Sequence, residues 1–403
     1  MRGFPGARAA LLTAVLVVLT AACGGQGRSA APAPTPTRPV LKIATQSPLS
    51  GDRAVLGVAI RNGVQLAVEQ REDRIAALGF DGKVIPFDDR ARREVGLANA
   101  AQIVADPDVL LVIGHLTSNV ALPASEVYQR AGLAMISPAN SDPQLTARGF
   151  DAVSRVIGRD DVQGAAAAEF AAAELKARRV FVAHDGSPAG RAVAAAFRER
   201  ARGAGLAVVG EQKLEKDVAP LLAVLTASPP DVIYLSMTFA QAGAVIRQVR
   251  AKNAKSAFIG PDWLDSPRLL QFAGRGAVGT YYTLVAGPPG FYPGTETFVQ
   301  DYRKRFTAEP PPFALQAYDA AALGLEALAR AIRAAGGRPS RRLVAAEIRR
   351  TSGFRGLSGN VTFDAQGDPN PAAYFIVQVA STNPTEWERR KLVRMLRLPP
   401  LAR

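Results

Sequence analysis

The sequence predicts an α/β protein of two lobes, each a doubly wound parallel sheet, and three features lead there. Short aliphatic runs alternate with helical segments from residue 41, in a β-α rhythm that continues to residue 155. After Arg155 the rhythm restarts as a second series of the same kind. A chain of 403 residues, 48% hydrophobic and 21% charged, has the length and apolar content for two cores.

Residues 109–150 show the repeating unit most clearly. Segments 109–113 and 133–136 are short, mostly aliphatic and bounded by Gly or Pro, the pattern of strands buried on both faces. The helix between them makes a right-handed crossover, so the two strands run parallel. The carboxyl ends of parallel strands open on a crevice. Here those ends carry His115-Leu116-Thr117-Ser118-Asn119 and Ser137-Pro138-Ala139-Asn140-Ser141-Asp142, loops full of hydroxyls and amides. A helix start near Asn119 adds free N–H groups and a positive dipole end, which together hold a carboxylate without a formal cation. Neither loop offers a nucleophile with a base, a metal cluster or a phosphate loop, so the chemistry is binding and no enzymatic activity is expected.

The elements follow in order. Arg2 and Arg8 precede the apolar run 9–22, then small residues and Cys23, the layout of a secretory signal over 1–22. Cys23 is the only cysteine, and its place after Leu19-Thr20-Ala21-Ala22 matches a lipoprotein processing site except at Thr20, where the pattern prefers Leu. The protein is therefore expected to be exported and lipid-anchored to the cell membrane, or free in the periplasm. Residues 23–39 form a proline-rich linker.

In the first series the strands fall at 41–45, 83–87, 109–113 and 133–136, with helices at 54–74 and 93–105. The first loop, Gln46 to Gly51, lacks the GxGxxG of a dinucleotide site, which removes the best evidence for a nucleotide cofactor; none is expected. The second series has helices at 162–177, 191–203, 218–227 and 241–252, and strands at 180–184, 206–209, 232–235, 258–259 and 278–284. Helices follow at 295–306, 313–335 and 340–351, with Gly336-Gly337 stopping the second of them. A short strand or turn at 360–364 and a strand at 374–379 come next, and 386–403 reads as a basic surface tail.

The formal charge of +14, from 49 basic and 35 acidic residues, raises the question of a polyanionic partner. The arginines are scattered over many helices with no aromatic-basic cluster, so no nucleic-acid partner is expected. His115 and His184, the only histidines, stand apart and suggest hydrogen-bonding strand ends, with no metal site.

Ile113-Gly114-His115-Leu116 through Leu122-Pro123-Ala124-Ser125, then Met135 to Ala139, Leu145-Thr146 and Arg148-Gly149-Phe150, resemble the branched-chain amino-acid binding proteins of ABC importers, which have the type I periplasmic binding fold. The resemblance runs over residues 40–379. It implies that the helices after residue 295 return to the first lobe, giving lobe one as 40–155 plus 285–370 and lobe two as 156–284 plus 371–385. Three crossings then make a hinge.

The resemblance also implies a site. Ser118, Ala139 and Ser141 fall where the family holds the ligand's carboxylate and amino group. Gly260-Pro261-Asp262 falls on a Gly-Pro-acid motif that pairs with the ligand ammonium, with Asp in place of the usual Glu; Asp185 is the second choice. Two aromatic walls of the family fall at Leu56 and Ala189, and a third near Thr238 or Phe239, so the side-chain pocket is rebuilt, with Trp263 and Tyr281 as candidate new walls. The family's disulfide positions fall at Ala91 and Thr117. The implied function is capture of a small amino-acid-like ligand by a monomer and delivery to an ABC permease. The alternative is a ligand-sensing subunit of a signalling system.

Overall fold

The computed structural model describes residues 38–401 apart from 215–217, 228 and 253–254; the signal segment, Cys23 and residues 24–37 of the linker lie outside the described residues.

The first sheet has five parallel strands in the order β2-β1-β3-β4-β5: β1 (Val40–Ser47), β2 (Asp81–Asp88), β3 (Val109–Gly114), β4 (Ala134–Ser137) and β5 (Val153–Arg155). Successive strand residues face opposite sides, so Leu111 and Ile113 enter one core and Val112 the other. All six residues of β3 are buried, which is why that segment reads as a continuous apolar run. One face is covered by α1 (Ala54–Glu69) with α2 (Glu72–Ala76) at its end, and the other by α3 (Arg93–Ala105), α4 (Ser118–Arg130) and α5 (Gln144–Ala147).

The second sheet has seven strands in the order β14-β13-β10-β9-β8-β6-β7. Its parallel part is β6 (Arg179–His184), β7 (Ala207–Lys213), β8 (Val232–Ser236), β9 (Ala257–Gly260) and β10 (Tyr281–Leu284). The helices α6 (Asp160–Ala173), α7 (Pro188–Gly203), α8 (Ala219–Ala227), α9 (Phe239–Arg250) and α10 (Leu269–Ala273) accompany it. The strand expected from residue 278 starts at Tyr281, because Gly274–Ala277 winds into a 3-10 turn first. The helix expected from Val162 starts two residues earlier, where Asp160 and Asp161 sit favourably at its positive end.

The chain then returns to the first sheet. After α11 (Glu296–Phe306), the 22-residue helix α12 (Ala314–Ala335) lies on α1, β3 and β4, and α13 (Arg341–Arg349) beside it on β3 and β4. Close approach of α1 and α12 needs Gly63, where any side chain would run into the Ala314 carbonyl oxygen. Gly164 does the same for α6 against the Val193 carbonyl of α7. A small antiparallel hairpin, β11 (Phe354–Gly356) and β12 (Gly359–Val361), stands where a short strand or turn is expected at 360–364, with the strand one residue earlier.

Finally β13 (Ala372–Gln378) joins the second sheet antiparallel to β10. The segment read as a surface tail, 386–403, is instead largely sheet: β14 (Lys391–Leu398) pairs antiparallel with β13 as the edge strand. The second sheet is therefore mixed, with two antiparallel strands on an otherwise parallel frame. Trp387 explains the difference, since it is buried against Tyr282 and its indole N–H donates to Asp265 at 2.8 Å, an anchor that no periodicity announces.

The chain passes between the sheets three times, and the passages are tied to each other. Gly158 N–H donates to Val285 O at 3.4 Å, and Arg155 N–H to Gly367 O at 2.9 Å. Arg159 N–H donates to the Tyr374 hydroxyl at 2.8 Å. Arg155 is wholly buried and its guanidinium donates to Asp368 at 2.7 Å, to Asn140 O at 2.8 Å and to Thr146 Oγ1 at 2.8 Å.

Candidate functional site

The residues expected at the ligand sit at the carboxyl end of a strand, or at the start of the helix that follows one, except Tyr281, which opens β10 at that strand's amino end and packs against the core. On the first sheet, Ser118 is the first residue of α4, and Ala139 and Ser141 lie in the loop after β4. Thr117 caps α4 in an extended conformation without a side-chain bond, and Val120 and Ala121 both donate to its carbonyl. The amides of Ser118 and Asn119 consequently have no acceptor among the described residues and, with the helix dipole, suit an anion.

The two loops are knitted together. Asn140 Oδ1 accepts from His115 N–H at 3.1 Å and from the Ser137 hydroxyl at 2.7 Å, and Ser137 Oγ accepts from Asn140 N–H at 3.0 Å. His115 is fully buried with its Nδ1 3.6 Å from Asp89, and its ring stacks on Tyr128. The ring nitrogens make no hydrogen bond among the described residues, so at His115 the expected bonding belongs to the backbone alone. At His184 the ring does bond: Nδ1 accepts from Gly186 N–H at 3.0 Å.

On the second sheet, Asp262 and Trp263 open a 3-10 turn after β9, Ala189 is in the first turn of α7, and Phe239 is the first residue of α9. Asp185, the second-choice acid, caps its own loop by accepting from Ser187 N–H at 2.9 Å. Phe239 lies against Phe272 and under the Arg268 guanidinium. Trp263 and Tyr281 lie against the same buried cluster, with Tyr281 tilted on Phe170 at 5.1 Å. Leu56, in the first turn of α1, is half-buried against the main core, and Ala189 is exposed.

Two residues absent from the sequence reading join these halves. Asp160, at the start of α6, donates its N–H to Ser141 O at 2.9 Å, and its carboxylate is bonded by the Ser141 side chain. Gln163, one turn on, donates to Asp160 at 2.9 Å and accepts from Asp262 N–H at 3.1 Å and from the Thr283 hydroxyl at 2.5 Å. A continuous line thus runs Ser141–Asp160–Gln163–Asp262, from the first sheet's loop to the second sheet's turn. The available signal was the acid pair Asp160-Asp161 at a helix start, which reads equally well as simple dipole pairing.

Electrostatics single out this line. Burial raises the Asp262 carboxyl well above its ordinary range, and the nearby Asp160 charge raises it further. Burial likewise raises Asp160, against the lowering effect of its bonds from Ser141 and Gln163. Asp262 Oδ1 and the Tyr234 hydroxyl are both buried without a partner, and Tyr234 is raised by burial and then by the charges of Asp262 and Asp160. The partnerless Asp262 oxygen, desolvated and beside a second carboxylate, suits a cation, while the α4 amides suit an anion. No group of three or more potential metal ligands occurs among the described residues.

Comparison with known proteins identifies the family. The model of a family described as periplasmic binding protein matches residues 40–384. The Leu/Ile/Val-binding protein homolog 1 of Brucella melitensis is 32% identical over 334 residues, covering 81% of this chain and 87% of its own length. The amino acid binding protein of Pseudomonas aeruginosa is 29% identical over 83% of this chain and 89% of its own. Among solved structures, a leucine binding protein, LivK, from Thermotoga maritima superposes with a TM-score of 0.66 at 26% identity, over 89% of this chain and 99% of that one. A fold of two sheet lobes with a three-fold crossing, a donor-rich loop pair facing an acid turn, and these relatives together place the chain in the periplasmic binding protein family, in its branched-chain amino-acid type.

Proposed function

We propose that the protein is an exported, Cys23-anchored solute-binding lipoprotein that captures a small amino-acid-like ligand between its lobes and delivers it to an ABC permease. The observation that carries this reading is the line Ser141–Asp160–Gln163–Asp262, with free α4 amides on its first-sheet side and the partnerless Asp262 carboxylate oxygen at its second-sheet end. A zwitterion brings one charge for each end.

Ser118, Ala139 and Ser141 take the ligand's carboxylate end and Asp262 its ammonium. Leu56, Ala189, Phe239 and Trp263 border the side chain. Leu56 and Ala189 are small where the family is aromatic, so room is left for a side chain bulkier than that of leucine. Support also comes from the relatives whose names record leucine, isoleucine and valine binding.

Isothermal titration with L-leucine, L-isoleucine, L-valine and the larger aromatic and amidated amino acids tests the reading. Saturable binding of at least one free amino acid, lost when its amine is acetylated, is the expected result. Failure of every α-amino acid to bind, with a neutral or anionic solute binding in their place, would overturn it.

A further inference from the structure

Residues 330–355 hold eight arginines against one glutamate, a net of +7, half of the +14 of the whole chain. In the sequence these residues look like part of a general scatter. The fold gathers them on the outer face of the first lobe, along the second half of α12, α13 and β11, with Arg74 of α2 adjoining. Three open depressions run into one another there: the groove between α2 and α12 shares Arg330 with the one beside β11, which shares Arg350 with the one along α13.

Part of this charge is used within the protein. Arg330 and Arg350 both pair with Glu347, at 3.1 and 2.8 Å, and Arg349 donates to backbone carbonyls. Arg74, Arg333, Arg342 and Arg355 are exposed, and their side chains have no ion pair or hydrogen bond among the described residues.

We propose that this arginine face docks on an anionic phospholipid surface, with the four free guanidiniums on lipid phosphates. Guanidinium matches phosphate in a two-pronged geometry, and a row of open depressions suits an extended surface better than an enclosed small ligand. A single-stranded nucleic acid is disfavoured, because the only aromatic residue in the three depressions, Phe354, is packed against the core.

The position of the face also points to a membrane. Asp108 takes ion pairs both from Lys42 of β1, at 3.3 Å, and from Arg338 between α12 and α13, at 2.9 Å. The turn between α12 and α13, next to this face, therefore lies at the same end of the sheet as the start of β1. On the reading of Cys23 as a lipid anchor, the chain between Cys23 and Arg38 spans at most about 50 Å, which keeps that end near the bilayer.

The test separates this face from the anchor and from ligand binding. Residues 38–403 form a compact unit of their own, so the chain from Gly24 onward, without signal segment or thiol, is sedimented with phosphatidylcholine vesicles containing 30% or no phosphatidylglycerol, at about 50 and 300 mM salt. Binding is expected only to the anionic vesicles, and at least tenfold weaker at the higher salt. Arg74→Gln/Arg333→Gln/Arg342→Gln/Arg355→Gln should weaken it at least tenfold. A control removing four exposed charges from the second lobe, Arg202→Gln/Arg247→Gln/Lys252→Gln/Arg275→Gln, should stay within twofold of the parent. Circular dichroism verifies that both variants fold. Equal losses in the two variants would reduce the effect to net charge and overturn the proposal, as would no binding to anionic vesicles. Binding to poly-L-glutamate with none to vesicles overturns it in favour of an acidic protein partner.

Discussion

Arg155 and Asp368 meet at 2.7 Å, both essentially inaccessible to water, where β5 leaves the first sheet and the last passage turns toward the second. Asp368 also accepts from Thr146 Oγ1 at 2.8 Å and pairs with Arg159 at 3.2 Å, so one carboxylate holds two cations from the first passage. Removing one partner of such a pair leaves a buried charge uncompensated. Asp368→Ala should therefore destabilise the fold by about 3–5 kcal/mol, read as a lower urea midpoint. Replacing both partners, Arg155→Met with Asp368→Leu, should recover much of that loss, because two apolar groups leave no orphan charge. A single variant as stable as the parent would show that water reaches the pair.

The C-terminal strand yields the second prediction. Trp387 stacks on Tyr282 at 6.0 Å with nearly parallel rings, and its N–H shares Asp265 with the Tyr282 hydroxyl and the Arg390 guanidinium. Trp387→Ala should cost about 3–5 kcal/mol. Trp387→Phe, which keeps a stacked ring and loses only the donated bond, should cost about 1–3 kcal/mol. Chemical denaturation of the two side by side checks the ordering. If both cost under about 0.5 kcal/mol, the segment is the loose tail that its basic composition suggests.

The two lobes were legible because buried parallel strands and amphipathic helices leave periodic signals, and the first-sheet run at 109–136 carries both. β14 was not, because Lys391, Arg394 and Arg397 recur every third residue among half-exposed aliphatics, with no two-residue alternation, and this reads as a charged surface. The loops around Ser118, Ala139 and Ser141 could be placed from their position after apolar runs. Asp160 and Gln163 could not, because their role depends on the second sheet's turn, 99 residues beyond Gln163, folding back onto α6. The arginine face was hidden for the same reason, since sequence spacing does not say which helices share a side.

The anchor is tested independently of the fold. Protein from the membrane fraction should start at Cys23 and carry the mass of a diacylglyceryl and an acyl group or a diacylglyceryl alone. Cys23→Ser should release the protein to the soluble fraction at high ionic strength, where the arginine face no longer holds it. An amino terminus at another residue with no added lipid mass would refute the anchor and leave the export reading intact.

Asp262 makes opposite demands on stability and on binding, and the two signs together identify its role. Its folded pKa is raised above the unfolded value of about 3.9, so the folded state favours the protonated acid. The stability this gives is fully present below the unfolded pKa and is lost as pH rises through the folded one. At neutral pH, where the unfolded chain holds this acid ionised, the group thus costs the ligand-free fold, and Asp262→Asn should raise its melting temperature, by an amount that shrinks toward pH 4. Binding should move the other way. A ligand ammonium needs the ionised form, so removing it costs about 3–5 kcal/mol and weakens amino-acid binding by two to three orders of magnitude. For the same reason the parent's affinity should fall as pH drops into the raised range of Asp262 and Asp160. Calorimetry at pH 7.5 and 5, paired with melting curves without ligand, reads both effects. Stabilisation with affinity within about threefold of the parent would mean that the ligand puts no ammonium against Asp262, leaving a neutral or anionic solute as the occupant of the cleft.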